Sequence, residues 1–260
     1  MSDAPRISAH ALTARDRCRR LFALQYGERL YWPGPVREPG PEAARGEAFH
    51  RLVQRHRLGL APEVPPDLAD LWARFLASPY ADPAGTGGET GRVWTEQVLQ
   101  TALEGVPFTV RYDELRREGE DWTILDWKTG PRREAELAAS WQTRLYRFVL
   151  ARAGRSLLAG DRPPGAPYVP VAAPPPERIR LVYWLVAEER PVAFPYGTFD
   201  FAADKELFRE VALAAKQPLA ALAGPDDPDA CSACRFESYC HPRARPAPVS
   251  PPLALPRFDP

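Results

Sequence analysis

Residues 112–130 read YDELRREGEDWTILDWKTG and predict two strands joined by a polar turn. Successive side chains of a strand alternate between the faces of a sheet, so Asp126 and Lys128 point the same way from the second strand. An even number of loop residues would place Asp113 opposite Ile124 or Asp126, whereas an odd loop without a bulge would separate them. Two carboxylates and an ammonium on one face favour a hard-cation site suited to phosphodiester hydrolysis. The alternative is a surface ion pair on an exposed sheet face.

The composition predicts one elaborated domain, because 260 residues support a substantial core. The 34 basic and 34 acidic side chains cancel, so any contact with nucleic acid has to come from local patches. No long apolar run or secretory signal occurs, and a cytoplasmic location is therefore expected. Lysine is rare beside arginine, which hints that position 128 needs a compact ammonium group.

Apolar periodicity predicts helices and strands on both sides of the hairpin. Helices are expected at 8–26, 42–58, 67–77, 133–153 and 204–223, and strands at 92–103, 178–187 and 192–201, beside the hairpin at 106–128. This order indicates an α/β fold with a mixed central sheet flanked by helices. Proline-rich sequence predicts loops at 34–40 and 161–176 and a tail over 243–260, which leaves 1–242 as the single domain.

Four cysteines stand near the two ends of the chain, at Cys18, Cys231, Cys234 and Cys240. In a cytoplasmic protein, four thiols favour metal ligation over disulfides. The C-x₂-C-x₅-C spacing of the last three would leave a metal centre one ligand short. Cys18 can complete it and so join the N-terminal and C-terminal segments. Four ordinary buried thiols are the alternative.

Further polar residues accompany the hairpin in a fixed order. The ordered set is Gly46-x-x-x-His50, Asp113, the run ILDWKTG at 124–130, and Gln142-x-x-x-Tyr146. This set resembles the RecB-like branch of the PD-(D/E)XK nuclease superfamily. The resemblance implies a restriction-endonuclease-like core with the hairpin at its centre.

The resemblance also implies a role for each side chain. The implied ligands of Mg²⁺ or Mn²⁺ are His50, Asp113, Asp126 and the backbone carbonyl of Trp127. Lys128 would position or activate the attacking water and stabilise developing charge. Gln142 and Tyr146 would hold the substrate or the geometry around it. Glu96, on the strand before the hairpin, matches an acidic position of the family less securely.

The one-plus-three arrangement of cysteines is similar to that of iron–sulfur nucleases in the same superfamily, namely AddB-type subunits and CRISPR-adaptation exonucleases. It implies a [4Fe–4S] cluster ligated by all four cysteines. The alternative is a structural Zn²⁺ held by the same four residues, or by the last three together with His241.

The activity implied by the resemblance is that of a divalent-metal-dependent deoxyribonuclease, an exonuclease on single-stranded or frayed DNA ends in DNA repair and recombination. A helicase or another repair protein is the implied partner. Two alternatives remain, a nuclease of CRISPR spacer acquisition and a non-catalytic DNA-binding scaffold of the same fold. The expected DNA contacts are Arg15, Arg19, Arg132, Arg133, Arg144 and Arg147.

Overall fold

The structure, a computed structural model, describes residues 5–30, 40–82, 91–159, 172–222, 224–225, 231 and 234–241. Most of the expected loops at 34–40 and 161–176 lies outside these ranges, as does the proline-rich tail. Among the described residues, every helix is too short or too polar to span a bilayer.

Helices and strands alternate through the described residues in the order expected of an α/β fold. The strands are β1 (Arg92–Leu103), β2 (Val106–Glu118), β3 (Asp121–Lys128), β4 (Ile179–Leu185) and β5 (Arg190–Pro195). The helices are α1 (Ala9–Arg17), α2 (Arg19–Phe22), α3 (Pro41–Arg57), α4 (Ala69–Leu76), α5 (Glu134–Ala139), α6 (Trp141–Ala153), α7 (Arg155–Ala159), α8 (Thr198–Ala214) and α9 (Glu237–Cys240).

The described strands form one mixed sheet in the order β1-β2-β3-β4-β5. The first three are an antiparallel meander, β4 lies parallel to β3, and β5 is antiparallel to β4. A parallel neighbour requires a crossover connection, which the segment containing α5 and α6 supplies. The predicted mixed sheet is therefore confirmed.

Both faces of the sheet are buried against helices. One face packs against α6 and α8, and the other against α3 and α4. Ile124 points to the first face and Trp127 to the second. Because β3 is covered on both sides, residues 122–127 are all buried. Polar side chains in this strand consequently need partners inside the protein.

A buried group of charges joins β2 to α3 on the Trp127 face. The fully buried Glu114 accepts from Nε of Arg57 at 2.7 Å and from Nε of Arg116. The two guanidinium groups also donate to the backbone carbonyls of Tyr80 and Ala81, in the segment after α4. Strand β2, helix α3 and the segment after α4 are thus joined through Glu114 and the two arginines that it binds.

Two helices that were predicted to be continuous are interrupted. The first begins after its Ser8 cap as expected, but it breaks at Cys18, whose backbone is extended. The sulfur of Cys18 then accepts the amide of Leu21 at 3.4 Å and caps α2. The helix expected at 133–153 breaks at Ser140, whose hydroxyl oxygen accepts the amide of Gln142 at 3.1 Å. Such side chains compete with the helix for backbone donors, which accounts for both breaks.

The predicted bounds after β4 were also wrong. The strand expected to reach residue 201 ends at Pro195, and α8 begins at Thr198, six residues earlier than expected. Proline cannot donate a ladder hydrogen bond, and Gly197 occupies the N-cap of α8. The chain therefore turns into a helix where apolar alternation predicted more strand.

Candidate active site

The β2–β3 hairpin closes through a two-residue turn at 119–120. The strands pair from there until Glu114 lies opposite Leu125. The next positions along this register are Asp113 and Asp126, which therefore stand across from each other. The prediction that an even loop brings the two carboxylates to one face is confirmed.

A third carboxylate extends this row onto β1. The pairs on both sides of Glu96 follow one register, so Glu96 stands across from Asp113. Its backbone is left-handed, with φ of 50°, which is strained for a residue other than glycine. Its carboxylate lies 3.3 Å from Nε of Arg111. Burial and then repulsion from Asp113 raise the pKa of Glu96.

Asp126 is the buried centre of the site. Nζ of Lys128 lies 2.6 Å from its Oδ1, and Nε2 of Gln142 donates to its Oδ2. Lys128 also donates to Oε1 of Gln142 at 3.1 Å. One amide group thus binds the carboxylate through its nitrogen and the ammonium through its oxygen. The break at Ser140 makes this possible, because it starts α6 one residue before Gln142.

His50 reaches the acidic row from α3. Its Nδ1 lies 3.2 Å from Oδ2 of Asp113, and the same oxygen accepts the backbone amide of Trp127 at 3.1 Å. Gly46 is one turn earlier, and a Cβ there would lie 3.3 Å from Oγ1 of Thr129. The missing side chain lets α3 approach the end of β3. This close approach accounts for the glycine in the Gly-x-x-x-His motif.

The pKa values of Asp126 and His50 are both raised, for different reasons. Burial raises the pKa of Asp126, with attraction to Lys128 opposing it and repulsion from Asp113 adding to it. Burial lowers the pKa of His50, but the hydrogen bond and attraction to Asp113 outweigh burial, and the pKa of His50 is raised overall. Because an imidazole binds a metal only in its neutral form, a proton and a cation would compete for His50.

The donor set of the site fits a divalent cation. Carboxylate oxygens and an imidazole nitrogen suit Mg²⁺ and Mn²⁺. Oδ1 of Asp126 is buried and, apart from its ion pair with Lys128, has no hydrogen-bond partner in the described part of the chain. As placed, however, no group of three or more His, Cys, Asp and Glu side chains among the described residues forms a metal site. The fit therefore rests on donor chemistry and not on coordination geometry.

Tyr146 lies one turn after Gln142 on α6. Its ring packs edge-on against Tyr112, with centroids 5.1 Å apart, and the hydroxyl of Tyr112 donates to the carbonyl of Tyr146 at 2.9 Å. Burial and then the charges of Asp126 and Asp113 raise the pKa of Tyr146, while a hydrogen bond with Gln142 opposes the rise. Its hydroxyl is therefore neutral and lies within the field of both carboxylates.

Sequence reasoning missed one residue beside Lys128, namely Tyr183 of β4. This tyrosine pairs with Asp126 in the parallel register, and its ring faces Nζ of Lys128 at 5.1 Å. The strand itself was predicted. Its register against β3 depends on a long crossover, so no local signal could have identified this tyrosine.

The four cysteines line one cavity of about 480 Å³. The apolar cluster of Leu21, Leu24 and Phe236 packs beside them. Burial raises the pKa of Cys240, Arg20 lowers it, and the other three thiols raise it. Nε of Arg20, which lines the same cavity, is buried without a hydrogen-bond partner among the described residues. The cavity is therefore lined by four thiols together with the guanidinium-bearing side chains of Arg17 and Arg20.

Two of the arginines expected to contact DNA form contacts within the protein. Arg144 forms an ion pair with Asp204 at 2.6 Å. Arg147 donates to the carbonyl of Pro195 at 2.6 Å and lies over the ring of Tyr196. Both residues anchor α6 to the segment around β5 and α8.

The fold has relatives among solved structures. A crystal structure of a candidate exonuclease from Eubacterium rectale covers 95% of this chain and 91% of its own, with a TM-score of 0.51 and 11% identity. At this identity the likeness shows a shared fold alone. The crystal structure of a protein named SSO0001 covers 93% of this chain and 88% of its own, with a TM-score of 0.33 and 13% identity. No curated protein sequence matches the chain.

A family model for the PD-(D/E)XK nuclease superfamily matches residues 6–241. That span contains the hairpin, the Gly-x-x-x-His and Gln-x-x-x-Tyr motifs and all four cysteines. The five described strands and their flanking helices are consistent with the core expected of this family. The chain therefore belongs to the PD-(D/E)XK nuclease superfamily.

Proposed function

We propose that this nuclease is a divalent-metal-dependent deoxyribonuclease of the RecB-like type. The observation that carries the proposal is the convergence of two carboxylates, an ammonium, an amide and an imidazole on one end of the β2–β3 hairpin. These groups are Asp113, Asp126, Lys128, Gln142 and His50. An arrangement of this kind can bind a hard cation and a phosphodiester side by side.

Mg²⁺ or Mn²⁺ would be held by His50, Asp113, Asp126 and the backbone carbonyl of Trp127. When bound, such a cation lowers the pKa of a water ligand and neutralises charge on the scissile phosphate. The buried carboxylate of Asp126 supports this assignment, because its Oδ1 has only the ion pair with Lys128 among the described residues and can also accept a cation.

Lys128 acts as a hydrogen-bond donor in the proposed reaction. Its ammonium group, 2.6 Å from Asp126, can orient the attacking water and stabilise charge that develops on a phosphate oxygen. The side chain of Lys128 is 21% exposed and that of His50 is 29% exposed, whereas Asp126 is only 3% exposed. Substrate therefore approaches from the side of Lys128 and His50.

The proposed substrate is DNA with single-stranded or frayed ends, cleaved exonucleolytically in DNA repair. Support comes from the resemblance to the RecB-like branch, which also makes a helicase the proposed partner. Because the net charge is zero, local cations have to hold the DNA backbone. Arg15, Arg19, Arg132 and Arg133 remain the proposed contacts, and Arg144 and Arg147 are less available because they anchor α6.

The wild-type protein is expected to degrade end-labelled single-stranded DNA when Mg²⁺ or Mn²⁺ is present. Chelation by EDTA should stop the reaction, and added metal should restore it, because none of the described side chains of the site carries a polarising charge as strong as a divalent cation. The measurement is the release of label over time on denaturing gels, with each metal in turn.

A circular single strand of the same sequence is the control for end dependence. An exonuclease leaves the circle intact, and cleavage of the circle would contradict that part of the proposal. Binding of linear DNA without turnover in either metal would support a non-catalytic scaffold instead.

We also propose that the four cysteines hold a [4Fe–4S] cluster. Support comes from the shared cavity, from the resemblance to iron–sulfur nucleases, and from the orphaned Nε–H of Arg20, which can donate to an anionic sulfur centre. His241 lines the same cavity, so a zinc centre with three cysteines and His241 is the alternative.

Protein purified without oxygen is expected to be brown and to contain about four irons per chain. Replacing Cys234 with serine should remove the colour and most of the iron, since a hydroxyl is a poor ligand for iron in such clusters. Ser238, close in sequence, offers a control in Ser238→Ala, which should keep both. A colourless wild-type protein with one zinc per chain would decide for the alternative.

A further inference from the structure

Lys128 is surrounded on three sides by groups that attract an ammonium. Oδ1 of Asp126 lies 2.6 Å from Nζ, Oε1 of Gln142 lies at 3.1 Å, and the centroid of the Tyr183 ring lies at 5.1 Å. A lysine ammonium carries three N–H donors, and the negative face of an aromatic ring attracts such a cation. The ring of Tyr183 thus supplies a third contact beside the carboxylate and the amide.

The ring of Tyr183 is itself held firmly. The side chain is fully buried, and its hydroxyl lies 2.8 Å from Oγ1 of Thr143. Thr143 in turn donates to the carbonyl of Leu137 at 2.5 Å, and the ring of Phe194 packs edge-on against Tyr183. The face that Tyr183 presents to the ammonium is therefore fixed by α5, α6 and β5.

Helix α6 fixes two of the three contacts of Lys128. Gln142 binds the ammonium directly, and the next residue, Thr143, orients Tyr183. The third contact, Asp126, is different, because it is also a proposed metal ligand. A carboxylate that is shared with a divalent cation attracts a nearby ammonium less, and the cation itself repels that ammonium.

We propose that Tyr183 is a positioning residue that keeps the Lys128 ammonium in the site independently of Asp126. The proposal rests on the proposed nuclease function for its catalytic consequence, while the contact between ring and ammonium is a property of the protein alone. Because Tyr183 is fully buried, it would act on the substrate only through Lys128. It acts by preventing Lys128 from turning out to solvent when the charge around Asp126 changes.

The first test is kinetic and uses the ring and the hydroxyl separately. Tyr183→Leu should lower kcat about tenfold with KM for DNA unchanged, because the cation–π contact is lost. Tyr183→Phe keeps the ring and should stay within about twofold of the wild type. Phe201→Leu removes a ring of α8 that packs against Phe148 and Tyr196, and it should leave kcat unchanged.

The second test does not depend on activity. The chain has three lysines, at 128, 205 and 216, so lysine labelled with ¹³C gives a spectrum that is simple to assign. The ring current of Tyr183 should shift the Cε protons of Lys128 upfield. This shift should persist in Tyr183→Phe and disappear in Tyr183→Leu. If the leucine variant does not fold, Tyr183→Met fills the space with a flexible side chain and serves instead.

The outcomes separate the two claims. If the wild-type protein cleaves DNA and Tyr183→Leu has the same kcat, the positioning role alone would be overturned. An equal loss in Tyr183→Phe and Tyr183→Leu would also overturn it, because the hydroxyl and not the ring would then matter. A shifted Lys128 signal in a wild-type protein that cleaves nothing would overturn the proposed function, and the role of Tyr183 in catalysis with it.

Discussion

Replacing Asp126 with asparagine lowers the rate of DNA cleavage by about a thousandfold or more, and the protein stays folded. Among the described residues, Asp126 is the carboxylate that contacts both Lys128 and Gln142, and its buried Oδ1 lies 2.6 Å from Nζ of Lys128. Asparagine has the same shape but no charge, so it cannot attract a divalent cation or Lys128 to the same degree. Cleavage rates with Mg²⁺ and Mn²⁺ at saturating DNA measure the effect.

The fold should tolerate this change because burial raises the pKa of Asp126. A carboxyl group whose pKa is higher in the folded state than in the unfolded chain favours folding most at low pH. That contribution is lost as the pH rises through the unfolded and then the folded pKa. In metal-free buffer at neutral pH, the charged form of Asp126 therefore does not stabilise the protein, and Asp126→Asn should melt within a few degrees of the wild type.

Lys128→Ala is the companion variant and should lose cleavage to a similar degree. It removes the ammonium while leaving Asp126 and Gln142 in contact. The matched control is Asp121→Asn, at the exposed start of the same strand, whose ion pair with Arg178 is on the surface. The assignment of the site would be contradicted if either active-site variant cleaved DNA as fast as the Asp121→Asn control.

Replacing Glu114 with alanine lowers the free energy of unfolding by about 3–5 kcal/mol. Glu114 is fully buried and is the shared acceptor of Arg57 and Arg116. Its removal leaves two buried guanidinium groups that repel each other and have lost their counter-ion. Burial lowers the pKa of Arg57, whereas the charge of Glu114 and its hydrogen bond raise it. The carboxylate therefore offsets part of the cost of burying the guanidinium group.

Urea unfolding followed by far-ultraviolet circular dichroism measures this loss. Glu118→Ala is the control, because Glu118 is exposed at the end of the same strand and should change the free energy by less than about 0.5 kcal/mol. A change below about 1 kcal/mol for Glu114→Ala would mean that the two arginines find other partners or reach water.

The parts of the site that local sequence determines were predictable. The alternation along 121–128 and the short turn place Asp113, Asp126 and Lys128 on one face, and helical spacing places Gln142 and Tyr146 one turn apart. The helix breaks at Cys18 and Ser140 were missed because apolar periodicity continues through both. Only the capping contact of each side chain reveals where the helix stops.

Contacts between distant segments could not be predicted. Tyr183 meets Lys128 through a parallel register, and Glu114 meets Arg57 through the packing of α3 on the sheet. The sequence indicates charged residues at 57, 114 and 116, which typically lie on a solvated surface. Helix α4 and the segment after it bury these residues as an internal cluster. The pattern within a single helix or strand does not indicate this burial.

The buried cluster around Glu114 has a consequence for how this enzyme can change over evolutionary time. Arg57 and His50 lie on the same helix, so the carboxylate that holds one end of α3 also sets where the imidazole meets Asp113. The segment after α4 takes part through the carbonyls of Tyr80 and Ala81, which any amino acid at those positions would supply. Substitutions at position 81 can therefore accumulate without altering these contacts, whereas one inserted residue there would shift α3 and with it His50, a proposed metal ligand.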